Sequence, residues 1–152
     1  MNENKPTQSR PVNLHRLEQL KAIIEALESK REALAALSCA VPAIDYGKDI
    51  VDTSPQPDPP FVKMQAAIQA IDAQIAQANY DYIIDGAKMI EGISTIDADD
   101  VGKAIMYDRY IKLKPLHQIA NDLVLSYSHV CRLHNACCRA YNRARKTDKK
   151  QK

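Results

Sequence analysis

Between Val12 and Val41 the chain has neither glycine nor proline, and its large apolar residues recur at steps of mostly three and four: Leu14, Leu17, Leu20, Ile24, Leu27 and Leu34. With 3.6 residues per helical turn, that spacing gathers them on one stripe. Ile23 and Leu37 widen the stripe, and Arg31 and Ser38 weaken its seam. The pattern predicts one long amphipathic helix, capped at its start by Asn13 and stopped near Pro42. A second ladder, Phe61, Met64, Ile68, Ile71, Ile75, Ala78 and Tyr82, runs through about three heptads, with alanine and glutamine over much of the remaining surface. It loosens at Gly86 and Gly92 and carries apolar residues on to Met89 and Ile93.

Two single-striped helices must cover each other, so residues 12–93 read as a long antiparallel helical hairpin of coiled-coil type. Between the ladders, residues 42–60 hold Pro42, Pro55, Pro57, Pro59 and Pro60, which exclude a helix interior. Ile44, Tyr46, Ile50 and Val51 give that connector residues with which to pack. The seams Leu17/Leu20/Ile24/Leu27 and Ile68/Ile71/Ile75 are longer than a short C-terminal unit can cover, which predicts a homodimer through these helices. Residues 1–11 and 147–152 read as flexible tails.

Composition narrows the function classes. Aromatics are 5%, tryptophan is absent and there are four glycines. A β-sandwich or barrel needs more strand formers and more glycine turns. A Rossmann or P-loop nucleotide enzyme needs a glycine-rich phosphate loop, and none exists. No apolar run approaches a membrane span, and the polar start Met1-Asn2-Glu3-Asn4-Lys5 has no apolar signal region. Four cysteines, two of them adjacent, do not form a disulfide framework, so a reducing cytoplasm fits. The fold class is all-α. No Ser/His/Asp, Cys/His or paired-carboxylate arrangement predicts an enzyme, and no cofactor is expected.

The charge is strongly divided. Residues 1–100 carry nine basic and sixteen acidic side chains, a net of −7, and residues 101–152 carry twelve and three, a net of +9. A basic half points to a polyanion. A third helical unit, residues 95–146, begins at Thr95 or Asp97, with Asp97, Asp99 and Asp100 in the first turn, where the helix dipole favours anions. The acidic cluster lacks the glycine and distal glutamate of a calcium loop, so no metal is expected there. Val101, Ala104, Ile105 and Ile111 are the predicted apolar face, and Pro115 suits the first position of the next helix.

Leu116, Ile119, Ala120 and Leu123 describe a helix of two turns. Val124-Leu125-Ser126 is a tight connector with Ser126 as N-cap, and Val130, Leu133 and Cys137 form the inward side of a further helix. A short helix, a tight turn and a capped second helix are the parts of a helix-turn-helix. Ser128, Arg132, Asn135 and Arg139 fall on the opposite side, and Tyr127 and His129 flank the helix start. Arg132 can fork onto guanine and Asn135 onto adenine. Tyr127, Ser128, His129, Arg132 and Asn135 are therefore the expected base-reading residues of double-stranded DNA. Lys114, Arg139, Arg143, Arg145 and Lys146 are the expected phosphate contacts, reinforced by Lys149, Lys150 and Lys152.

Arg109-Tyr110-Ile111, Ile119-Ala120, Leu123 and Ser126-Tyr127-Ser128-His129-Val130-Cys131-Arg132-Leu133-His134 resemble the region-4 helix-turn-helix of sigma-70 factors. More closely, they resemble the small phage-encoded regulators of Gram-positive bacteria of the ArpU and RinA types. Ala43-Ile44-Asp45-Tyr46-Gly47-Lys48-Asp49 with Thr53-Ser54-Pro55 resembles a segment shared by an uncharacterised branch of those proteins. The resemblance spans residues 14–143 and departs from the usual turn, which carries glycine where this chain has Val124. It implies a sequence-specific transcriptional regulator of phage or prophage genes in a bacterial cytoplasm. The resemblance leaves room for contact with host RNA polymerase as a sigma-like module, and a full sigma factor does not fit because residues 12–93 are committed to the hairpin. A small-terminase-like packaging subunit and a coiled-coil interaction protein without specific DNA binding are the alternatives. Cys131, His134 and Cys138 share one flank of a helix, but small apolar thiols are expected rather than a zinc site, which takes four ligands.

Overall fold

The structure, a computed structural model, describes residues 12–40 and 60–150, with side chains through Thr147. The connector motif Ala43–Asp49 and Thr53–Pro55, most of the Pro-rich segment 42–60 and the tail 1–11 lie outside the described residues. Those described form five helices and no strand: α1 Arg16–Cys39, α2 Pro60–Thr95, α3 Asp100–Tyr110, α4 Leu116–Asp122 and α5 Tyr127–Lys150. The protein is all-α, and no described helix is long and apolar enough to cross a membrane. Contacts divide the chain into two units, one made of the residues up to Lys21 with Asp81 onward, the other of Ala22–Tyr80.

Several helix ends differ from the periodicity reading. The Asn13 side chain accepts a bond from the His15 N–H (3.2 Å), while its carbonyl accepts from Arg16 N (2.9 Å), so α1 starts at Arg16. α2 passes through Gly86 and Gly92 and ends only at Thr95. Packing of the surrounding turns outweighs the local cost of about 1 kcal/mol that glycine carries in a helix. α3 starts at Asp100 because Asp99 is its cap, accepting from Gly102 N at 3.0 Å. Asp97 stays outside the helix. Pro115 is the cap of α4 rather than its first residue.

The inward face of α3 is also shifted. Gly102, Ile105, Met106 and Tyr110 are buried, whereas Val101 and Ala104 face solvent. Gly102 sits where α3 meets α5: a Cβ there would come within 2.6 Å of both the Asp99 carboxylate and the Cys137 sulfur.

The larger unit has two adjoining cores. One joins Leu14 and Leu17 to Met89, Ile93 and Ile96, to Met106 and Tyr110, and to Cys137 and Tyr141. The other joins Ile105 to Ile119, Ala120 and Val130. Ala120 is small where α4 approaches α5, and Ile105 lets α3 close the triangle. The Tyr141 hydroxyl donates to the Val12 carbonyl at 2.6 Å, tying the segment before α1 to the second half of α5. Arg16 donates to Asp85 at 3.0 Å. In the unit Ala22–Tyr80, Ile71 and Ala78 are buried, Leu27, Leu34, Met64, Ile68 and Ile75 are half-buried, and Arg31 pairs with Asp72.

Candidate nucleic-acid interface

α4 and α5 are joined by a turn built on Val124. Its φ of 54° is in the left-handed region. The Leu125 N–H returns to the Ala120 carbonyl (2.9 Å) and the Val124 N–H to the Asn121 carbonyl (3.2 Å). These two bonds are the Schellman pattern, which normally uses glycine at the left-handed position. A β-branched residue there costs about 1–2 kcal/mol, and Val124 recovers nothing by packing, being 90% exposed. The turn keeps its geometry because Ala120 and Val130 on either side are locked in the core, and because the Leu125 and Val124 N–H groups satisfy the orphan carbonyls of Ala120 and Asn121 at the end of α4.

Ser126 starts α5. Its hydroxyl accepts from the His129 N–H at 3.3 Å, and its carbonyl accepts from Val130 N at 3.1 Å. Val130 is fully buried, and Cys137 and Tyr141 follow on the same side at steps of seven and four. At about 100° per residue, Ser128, Arg132, Asn135, Arg139, Arg143 and Lys146 then fall within an arc of about 80° on the opposite side. All six are exposed. The stripe is about 27 Å long at 1.5 Å per residue. No carboxylate among the described residues pairs with Arg132, Arg139, Arg143 or Lys146. An unneutralised row of cations with two amide or hydroxyl groups between them is suited to a polyanion.

The remaining predicted site residues do not join this stripe. Tyr127 is 56% exposed at the helix start, and its hydroxyl bond to Cys131 raises its pKa. His129 is half-buried beside the cap. Arg145 is half-buried on the packed side, where its charge acts on the Tyr141 hydroxyl. Lys114 has an internal partner, Asp122 at 2.7 Å, and that hydrogen bond raises its pKa. The pair bridges the segment before α4 to its last turn, so Lys114 stabilises the α4 placement before it meets any ligand. Leu133, expected in the inward face, is only partly buried against the second core.

A cluster that the sequence reading left unconnected lies on the flank of α5 facing α3. The Tyr110 hydroxyl is 2.9 Å from His134 Nε2 and 3.4 Å from the Cys138 sulfur. The Tyr110 and His134 rings stack at 5.6 Å, and His15 meets Tyr110 edge-on at 5.9 Å. Burial lowers the His134 pKa and raises those of Tyr110 and Cys138. All three groups are therefore held neutral, and they clamp α3 to α5 through hydrogen bonds and ring contact. No group of three His, Cys, Asp or Glu among the described residues comes together as metal ligands. The four cysteines are free, with Cys39 exposed and Cys137 buried.

Tyr110 and Tyr141 were missed as anchors because each is a single aromatic at an ordinary helical position. The available signal was the spacing Val130, Cys137, Tyr141, which continues the inward face one turn past Cys137. No protein-family model, curated protein or solved structure matches the chain.

Proposed function

We propose that the protein is a non-enzymatic, sequence-specific DNA-binding regulator whose α4–turn–α5 segment acts as a helix-turn-helix, with α5 entering the major groove. It reads as a homodimer carried on an antiparallel hairpin of α1 and α2, of the kind found in small phage transcription regulators with a sigma region-4-like unit. The observation that carries the reading is the exposed stripe Ser128, Arg132, Asn135, Arg139, Arg143 and Lys146 opposite the buried Val130, Cys137 and Tyr141. Residues near the α5 start meet base edges, Arg132 by a bidentate bond to guanine and Asn135 to adenine. Arg139, Arg143 and Lys146 lie further along and neutralise phosphates, which makes their contribution independent of sequence and steeply salt-dependent.

Selection of duplexes from a random DNA pool with the full chain, followed by titration of the selected duplex, tests this. Arg132→Ala is expected to weaken the selected site by about 1–3 kcal/mol and to leave non-specific binding and the melting temperature nearly unchanged. Val130→Ala is the folding control, because its side chain is fully buried. A pool that shows no enrichment, or an Arg132→Ala variant that weakens every duplex equally, overturns base reading by α5.

A further inference from the structure

Within the larger unit α2 has two apolar sides. The inner one carries Tyr82, Met89 and Ile93 into the core. The outer one carries Ile83, Ile84, Ala87 and Ile90, which are exposed, Ile83 by 68%. Beside Ile90, toward α3, is a concavity of about 450 Å³ lined by Ile90, Ile93, Ala104 and Tyr107 together with the charged Lys103, Asp108 and Lys112. Val101 and Tyr107 of α3 extend the exposed apolar surface. Leu17, Leu20 and Ile71, which the sequence pattern assigned to the dimer seam, are by contrast buried by the chain itself.

We propose that this outer face binds a second copy of the chain, with two α2 helices crossing antiparallel at Ala87, Ile84 of each copy meeting Ile90 at the concavity of the other and Ile83 packing beside Glu91. The inference rests on the homodimer part of the reading above and not on its DNA part.

Three observations select a second copy as the occupant. A two-fold axis at Ala87 places each residue before it opposite the residue equally far behind it. Ile84 then meets Ile90 and Ile83 meets Glu91, so a ridge and a hollow already present on one chain face each other. Ala87 is small at the crossing, which lets the backbones approach. An isologous dimer needs this kind of self-complementarity.

The exposed area also fits. Ile83, Ile84, Ile90, Val101 and Tyr107 leave on the order of 400 Å² of side-chain surface in water, about half of what one partner contributes to a standard interface. Ala87, Ala104, Lys88 and Lys103 flank them and add to that surface. A patch of that size is comparable to the largest apolar patch on a typical monomer, and such patches often mark a binding surface. Finally, the rim carries both signs, Lys88, Lys103 and Lys112 with Glu91 and Asp108, and Asp108 is already paired with Lys112 at 2.7 Å. Such a rim suits a copy of itself and not a polyanion.

Sedimentation velocity of the full chain without DNA, over about 1–50 μM, tests the proposal. The unmodified chain is expected to be a dimer, and Ile83→Glu is expected to weaken the dimer about 100-fold or more while far-UV helicity is retained. Phe61→Glu and Leu37→Glu, at exposed apolar positions of the other unit, are expected to leave the dimer intact. In a Cys39→Ser background, Ala87→Cys is expected to give a covalent dimer with a short thiol cross-linker, because the two copies of that residue meet on the axis. A monomer at 50 μM overturns the proposal. So does a dimer that survives Ile83→Glu, or one lost in Phe61→Glu or Leu37→Glu but not in Ile83→Glu. Because no DNA is present, failure of duplex selection and failure of this interface are separate results.

Discussion

The unit ending in α5 and the unit Ala22–Tyr80 are built from similarly helical sequence and buried to very different degrees. In the first, Met89, Ile105, Met106, Ile119, Val130 and Tyr141 are completely out of water. In the second, only Ile71 and Ala78 are buried among the described residues, while Ile23, Leu37, Phe61, Val62 and Tyr80 stay exposed. The cause is geometric. In the larger unit α3, α4 and α5 pack on one another and on residues of α1 and α2, so a side chain there has neighbours on several sides. The described residues of the other unit belong to two helices, so within them a residue on either has at most one neighbouring helix. The larger unit also holds the most amphipathic helix, α5, whereas α1 carries a weak apolar stripe, so both the sharpness of the stripes and the number of elements converging on them differ. The well-packed core of the larger unit holds α5 in place, whereas the unit Ala22–Tyr80 leaves more of its large apolar side chains in water.

The largest effect that would break this comparison is in the cores. Ile105→Ala is expected to cost about 2–5 kcal/mol in thermal or urea unfolding, because the site is closed by Ile119, Ala120 and Val130 and cannot collapse. Ile68→Ala, half-buried in the other unit, is expected to cost on the order of 1 kcal/mol, since water already reaches its surroundings. Equal losses would mean that the thin unit is as well packed as the thick one.

Next in size is alkaline unfolding through Tyr141. Burial raises its pKa to about 12, from an ordinary value of 10.0. The folded state therefore keeps the hydroxyl protonated where the unfolded chain ionises. Its contribution is fully present below pH 10 and is lost as pH rises from 10 toward 12, about 2–3 kcal/mol in all. Tyr141→Phe is expected to lower stability at pH 7 through loss of the bond to the Val12 carbonyl and to flatten that alkaline slope. A slope unchanged in Tyr141→Phe would assign it to another group.

The smallest effect sharpens the comparison from the other direction. Val124→Gly is expected to stabilise the larger unit by about 1 kcal/mol, because a left-handed φ is free for glycine and the valine side chain packs against nothing. The gain is net of the entropy that glycine adds to the unfolded chain. A loss of stability in the melting curve would mean that the side chain has a partner the turn geometry does not reveal.

Much was legible from residue order alone, and the reason is that it depended on near neighbours. The helices follow from apolar spacing and from the absence of Gly and Pro between Val12 and Val41. Ser126 capping α5, Ala120 as the close-approach residue and the exposed side formed by Ser128, Arg132, Asn135 and Arg139 follow from side-chain chemistry at a fixed 100° step. The imbalance of charge between the two parts of the chain is a property of composition. What required the tertiary structure involves residues far apart in the chain. Asp99 rather than Thr95 or Asp97 sets the start of α3 because only Asp99 reaches Gly102 N. The inward face of α3 turns on to Met106 and Tyr110 because Cys137, Cys138 and Tyr141 of α5 are there to receive it. Tyr110 finds His134 across 24 residues and Tyr141 finds Val12 across 129, partners that no periodicity can name. Lys114 and Arg145 are cations in any reading of the sequence; whether they face solvent or a neighbour such as Asp122 or Tyr141 was decided by the fold. Local interactions are encoded within a turn or two and can be read there, whereas contacts between helices depend on how several stripes share one core.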